Sequence, residues 1–351
     1  MSTKTEVVTL QRKLDWHTHQ GLFSIAGLIV INGLWFGLGL WNKWWWGGLI
    51  LNFTLIVVLT ERLGKRVPIR YKRRYDMALA AGFPILLLIC WQLIVGAGIL
   101  SPRWFPPPTR IGHALWDLTV DYNRFEGTSL IGRPWLIPER FRADGWDGVW
   151  ALYKEGHVWA TLTRVILGFV LGSVPGILIG VIMGLNKTIR TMLDTTLSAI
   201  YVLPKIAIFP LVMLVFDNPF GEGPKVTVIA ISAFFLVAIN TMTGVRDIDP
   251  VLLQAGKNYG ANWHQMFRHI ILPGAMPVIF SGLRLALGTA LIVVVAIEFV
   301  RAKMGVGHLI YYHWQVLEID KMYAGLVVVM ALGILLTYGL QWFERRLMPW
   351  R

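Results

Sequence analysis

Four ionisable side chains stand inside apolar stretches of this sequence, and they are where its chemistry would be: Arg164, Lys205, Arg284 and Glu298. A charge at membrane depth costs roughly 3 kcal/mol on insertion scales, so such a residue faces a cavity or a partner. What it offers is electrostatic. Toward an anion, Lys205, about midway along its run, and Arg284 would lower the desolvation barrier. Glu298 would gate or pair with a cation. A structural ion pair satisfies the same cost argument equally well. Arg164, near the outer end of its run, could pair with an external acidic group or snorkel to the interface, and snorkelling is the favoured expectation. Asn240 and Thr241 add polar groups that can line a pathway, although polar residues also join helices at such places. Covalent chemistry has no matching pattern. There are no paired carboxylates, nucleophile elbow or metal motif at membrane depth. The eight histidines, among them His17 with His19 and His308 with His313, form no metal-ligand constellation. No catalytic residue and no metal site is assigned.

The elements that would position these residues are membrane helices. The 351-residue chain is 55% hydrophobic and only 15% charged, with a mean hydropathy of +0.57, whereas soluble domains carry roughly 25% charged residues. Runs long enough to cross a hydrocarbon core of about 30 Å fall near 21–41, 45–60, 77–99, 158–185, 192–216, 225–244, 274–299 and 322–342. That is an all-α polytopic membrane protein of about eight transmembrane helices. The first run lacks a small-residue cleavage site, so no removed signal peptide is expected. The formal charge of +13 comes from Lys and Arg clustered between apolar runs, which speaks of topology and contact with lipid, not of nucleic acid. Arg62, Lys65, Arg66, Arg70, Lys72, Arg73 and Arg74 crowd the segment between the second and third runs, whereas Trp41 to Trp46 hold one lysine among four tryptophans. The basic segment is therefore expected in the cytoplasm with both termini, and the tryptophans as interfacial anchors. The chain divides into 1–75, two helices and the basic segment; 76–157, one helix and a long polar outer loop; and 158–351. Cys90, in an apolar run, can form no disulfide within this chain.

Between the sixth and seventh runs, residues 245–272 are too polar to cross a bilayer and rich in helix-compatible residues. Gln254-Ala255-Gly256, three residues, Gly260, nine residues and Ile270-Ile271-Leu272-Pro273 together resemble, in spacing, the EAA loop of ABC importer permeases. Gln254 stands where that pattern has an acidic residue and Gly256 where it has a second alanine, so the loop lacks one charge. A short helix ending at a glycine can seat in a groove of a soluble motor subunit, because small residues allow close approach. Pro273 and Pro277 fit the start of the next membrane helix, where a missing donor is tolerated.

The resemblance extends over about 158–309 and is closest to the nitrate, sulfonate, taurine and bicarbonate group of these permeases. It rests on Arg164-Val165-Ile166-Leu167-Gly168-Phe169, Pro204 through Pro210-Leu211, Asn240-Thr241, Gly282-Leu283-Arg284, and Glu298 followed by Gly305-Val306-Gly307. It implies a five-helix core of the type I importer permease kind, in the plasma membrane of a prokaryote. It also implies a second permease copy or homologue, two cytoplasmic ATPase subunits that hold ATP and Mg, and an external substrate-binding protein. Gln254, Ala255, Gly256, Gly260, Ile270, Leu272 and Pro273 become the ATPase-coupling loop, with Lys205, Asn240, Arg284 and Glu298 along the translocation pathway. No cofactor is expected in this chain. Gly256-Lys257-Asn258 looks faintly like a phosphate-binding loop, but Val251 occupies the place of its first glycine and no strand precedes it. The reading from another class is an ion-coupled secondary transporter or channel, supported by Lys205, Arg284 and Glu298 and opposed by the loop spacing.

Overall fold

A computed structural model describes residues 30, 32–39, 44–65, 67–123 and 127–350. The expected span near 21–41 lies mostly outside them, as do Arg12, Lys13, His17, His19, Trp41 to Lys43, Arg66 and Arg351. The chain forms two compact units, Met1–Pro108 and Thr109–Arg351.

In the first unit, helices α1 (Trp45–Gly64) and α2 (Ile69–Gly96) are joined by a short turn. Tyr75 at the start of α2 donates its hydroxyl to the Thr60 carbonyl, 2.6 Å away, and Phe53 packs on Phe83. The expected basic loop is largely helix: Arg62 closes α1, and Arg70 to Arg74 fill the first turns of α2. Trp44 and Trp46 stack at 5.4 Å between centroids and are exposed.

The second unit opens with the long polar stretch, which is more than loop. It holds α3 (Pro108–Val120), a two-stranded antiparallel pair (β1, Tyr122–Asn123; β2, Thr128–Ser129) and α4 (Ile137–Lys154), broken at Gly145 where φ is 62°. Next come α5 (His157–Leu185), α6 (Lys187–Val202), α7 (Lys205–Met213), α8 (Glu222–Arg246) and α9 (Pro250–Asn258). A short helix α10 (Trp263–Met266), a π-turn (Phe267–Ile271) and α11 (Leu272–Arg301) then run on without a break, followed by α12 (Val306–Gln315) and α13 (Ile319–Leu347).

The centre of this unit is the pair α5 and α8. Glycines recur every fourth residue along α5, at 168, 172, 176, 180 and 184, and so share one face. A Cβ built on Gly172 would lie 2.1 Å from the Ala230 carbonyl oxygen, and one on Gly180 would lie 2.6 Å from that of Ala238. The two backbones are in near contact, the small-residue packing that membrane helices use where lipid gives no hydrophobic drive. The glycine partners climb in step, from Val226 opposite Gly168 to Val245 opposite Gly184, so α5 and α8 run parallel. The segment between them must therefore return across the full thickness.

That return is where the expected straight span at 192–216 differs. It is two helices, α6 and α7, meeting at 94°. Pro204 supplies no amide and holds Leu203 extended at φ −61°, ψ 133°, because its ring excludes the helical region for the residue before it. By helical rise the 16 residues of α6 span about 24 Å and the nine of α7 about 14 Å. Neither alone matches a core of about 30 Å; together they do. Among the described residues six helices are long and apolar enough to cross a membrane, and seven segments are if the bent pair counts as one span.

Helix α11 runs antiparallel against α8. Gly244 meets Ala275 and Val278, and Gly282 meets Asn240. Val165, Ile229, Ala233, Val237, Ala275, Val294 and Ile297 fill the centre, all fully buried. One end of the bundle thus carries residues 247–262, and the other carries the starts of α5 and α8, the end of α11 and the turn 302–305.

Candidate functional site

At the first of these ends the chain makes a discrete projecting helix. Asp249 accepts the Val251 amide at 2.8 Å and Pro250 occupies the first helical position, a start encoded locally. The stop is equally local. Gly260 has φ +73°, its amide donates to the Lys257 carbonyl at 2.9 Å, and that of Ala261 donates to Gly256 at 3.0 Å. This is the Schellman arrangement, in which a left-handed residue follows the helix. A Cβ on Gly260 would touch nothing within 4 Å, so its glycine serves the turn and not a close approach. The close approach is at Gly256. It is buried, and a Cβ there would lie 2.4 Å from Ile270 Cδ1 and 2.9 Å from Met266 Cε. Ile270 thus holds α9 against the base of the long helix, while Leu272 and Pro273 begin α11.

Pro273 stands in the first turn of α11, as expected, whereas Pro277, expected at the same start, lies inside the helix. The continuous helical run opens ten residues before Pro273, at Trp263, behind a capping box between Asn262 and Gln265, and the π-turn ends two residues before Pro273. A widened turn relieves the clash between a proline ring and the preceding carbonyls. Gln254 and Ala255 are exposed. So are Val251, Leu252, Tyr259 and Trp263, at 67%, 51%, 92% and 64%, an apolar surface on a polar segment. Gly256, Lys257 and Asn258 lie inside the helix, where their amides are committed to helical bonds and cannot cradle phosphate.

At the opposite end the ionisable residues gather around Arg164, which is not snorkelled. It is 5% exposed, and its guanidinium binds Glu298 at 2.7 Å, Glu222 at 2.5 and 2.8 Å, and the Met304 carbonyl at 2.6 Å. Burial this deep demands hydrogen bonds on every face, and two carboxylates and a carbonyl supply them. Glu298 is 0% exposed. It also accepts the Thr161 hydroxyl at 2.9 Å and the Gly307 amide at 2.8 Å. The Val306 amide donates to Thr161, and the Gly305 amide to His157 Nδ1. A Cβ on Gly305 would fall 2.3 Å from the Glu298 carboxyl carbon. The Gly305-Val306-Gly307 string is therefore the lid of a buried charge cluster. Lys225, also buried, donates to Glu222 at 3.0 Å.

The pathway residues proposed from sequence do not converge. Arg284 lies 14 positions before Glu298 on α11, about 21 Å along the axis, and pairs with Glu344 of α13 at 2.6 Å. Lys205 stands at the bend, not midway along a straight span. Its ammonium donates to the carbonyls of Tyr201 and, at 2.9 Å, Leu203. Asn240 donates to the Leu236 carbonyl of its own helix at 2.7 Å and packs on Gly282. Thr241 is fully buried against Gly180, its hydroxyl without a partner. Sequence reasoning missed Glu222, Glu344, Thr161 and Lys225. The two carboxylates could have been flagged as acids at the margins of apolar runs, but nothing local names their partners. Near the cluster a polar cavity of about 260 Å³ is lined by His157, His308, His313 and Glu318. Burial pushes the Glu318 carboxyl up, but the Lys321 ammonium and His313 outweigh it and hold the group below the usual carboxylate range. Among the described residues no three His, Cys, Asp or Glu side chains are placed to hold a metal ion.

Residues 176–349 match the family described as binding-protein-dependent transport system inner membrane component. A Bacillus subtilis (strain 168) protein named as an aliphatic sulfonates transport permease is 30% identical over 280 residues, 80% of this chain and 90% of its own length. The taurine transport system permease protein of Escherichia coli (strain K12) is 29% identical over 84% of this chain and 98% of its own. The bicarbonate transport system permease protein of Synechococcus elongatus is 28% identical over 53% of this chain and 66% of its own.

Proposed function

This chain belongs to the binding-protein-dependent transport system inner membrane component family, and from that membership we infer that it is the permease subunit of an ATP-driven importer of a small anion. It moves solute and makes no covalent bond. ATP and Mg are bound and used by separate ATPase subunits, an external binding protein delivers the solute, and a second permease copy or homologue completes the pathway. An anionic cargo is supported by relatives named for sulfonates, taurine and bicarbonate.

The observation that carries the reading is the projecting helix α9 and the turn after it, with Val251, Leu252, Tyr259 and, at the start of α10, Trp263 all exposed. Apolar groups on a segment outside the membrane core ask for a protein partner, and the rigid seat of Gly256 on Ile270 would transmit that partner's motion into α11. Arg246, Lys257 and Arg268, with Arg345 and Arg346 at the end of α13, support a cytoplasmic position for this end, and hence an outer position for the Arg164 cluster.

Purification of the full chain with its co-purifying subunits, followed by reconstitution with the binding protein, tests the proposal. ATP-dependent uptake of at least one of taurine, an alkanesulfonate or bicarbonate is expected. Uptake driven by an ion gradient without ATP overturns it.

A further inference from the structure

Beside the buried cluster the second unit holds a larger cavity, of about 770 Å³, at the end opposite α9. Lys154, Arg164, Lys225, Arg301 and Lys303 all line it, against the single carboxylate of Glu222. Arg164 and Lys225 are engaged by Glu222 and by Glu298 behind it. Lys154, Arg301 and Lys303 are exposed and, among the described residues, pair with no carboxylate. Arg301 instead lies over the Phe220 ring, 5.4 Å from its centroid. The cavity is therefore positive in excess, and low-dielectric walls focus such a field on whatever enters. Those walls are apolar, formed by Ala160, Leu167, Val226 and Met304. The volume falls within the few hundred to about 1,000 Å³ of small-molecule sites, which combine apolar walls with a few placed polar groups.

We propose that this cavity is an outer binding site for an organic monoanion, with a sulfonate or carboxylate head held by Lys154, Arg301 and Lys303 and an apolar body against Leu167 and Val226. This rests on the importer reading and narrows its cargo. Bicarbonate has no body to cover the walls. The ammonium of taurine would face five cations with only Glu222, already engaged, to receive it.

The test uses the full chain with its co-purifying ATPase subunits, freed of binding protein, in nanodiscs of phosphatidylcholine, titrated calorimetrically with hexane-1-sulfonate. Saturable binding is expected, weakened at least about tenfold in Lys154→Gln/Lys303→Gln and weakened by added salt, as for a head held by charge. Neither 1-hexanol, taurine nor bicarbonate should compete at similar concentration. Lys154 and Lys303 are exposed, so the variant should fold; an unchanged elution profile on size exclusion checks this, and Lys303→Gln alone serves if it does not. Unchanged affinity in the folded variant, or equal competition by 1-hexanol or bicarbonate, overturns the proposal. So does displacement by phosphatidylglycerol in the disc, which would assign the cavity to a lipid headgroup. ATP-driven anion uptake that persists while hexane-1-sulfonate binding is absent sinks this site alone. Absence of any ATP-driven anion uptake by the parental assembly sinks the importer reading itself.

Discussion

Glu298→Gln isolates what the buried charge cluster contributes. The substitution keeps shape but removes the charge that Arg164 meets at 2.7 Å, and it sets an amide NH₂ beside the donors that Glu298 now accepts, the Thr161 hydroxyl and the Gly307 amide. Breaking one partner of a buried pair costs about 3–5 kcal/mol, because the remaining charge stays uncompensated. Arg164 keeps its two bonds to Glu222, so the expected loss is at the lower end, about 3 kcal/mol, or roughly 150-fold in the folded-to-unfolded ratio. Glu222→Gln makes the contrast. That side chain is 59% exposed, and exposed partners contribute about 0.2–1 kcal/mol. The measurement is equilibrium unfolding of each variant in mixed micelles with increasing dodecyl sulfate. A double variant, Arg164→Met with Glu298→Leu, should be less destabilised than the sum of its single changes by about 2 kcal/mol, since it leaves no orphaned charge. If Glu298→Gln and Glu222→Gln lose the same stability, or if the double variant is additive, the cluster does not hold this end of the bundle as argued.

Three further outcomes follow from the same geometry. Gly172→Ala, whose new Cβ would lie 2.1 Å from the Ala230 carbonyl oxygen, should destabilise by about 1–3 kcal/mol, whereas Gly288→Ala, which meets nothing within 4 Å, should be nearly neutral in the same unfolding assay. Gly260→Val should abolish transport in reconstituted complexes with normal membrane levels. The +73° φ disfavours a β-branched residue by roughly 1–2 kcal/mol and would reshape the turn that ends α9. Gly260→Asn, which tolerates that region, should restore most of the rate, and transport by Gly260→Val at the parental rate counts against a coupling role. Finally, a cysteine introduced at Arg73 should resist an impermeant thiol reagent in intact cells while one at Asp147 reacts, as the positive-inside asymmetry requires; reaction at Arg73 reverses the orientation.

Composition, run length and the spacing around Gly260 determined by themselves that the chain is a helical membrane protein and which family it joins, because insertion depends on local apolarity and capping on neighbouring residues. The two ends of α9 are of this kind: Asp249 with Pro250, and Gly260, act within a few residues of themselves. The glycines at every fourth position of α5 went unread in the sequence, because nothing local to them names α8 as the helix they admit. What the sequence could not determine is which charge meets which. Arg164 reads as a snorkelling residue because its partners, Glu222 and Glu298, lie 58 and 134 positions away. Arg284 reads as a pathway residue because Glu344 is 60 positions on. A charge in an apolar run has a high free energy that the sequence exposes, but the partner that lowers it arrives only when parallel and antiparallel helices pack. For the same reason Lys205 looked central in a span that Pro204 in fact bends by 94°. The tertiary structure alone decided that the ionisable residues form two separate clusters toward opposite ends of the bundle, since electrostatic partners are chosen by distance in space and not along the chain.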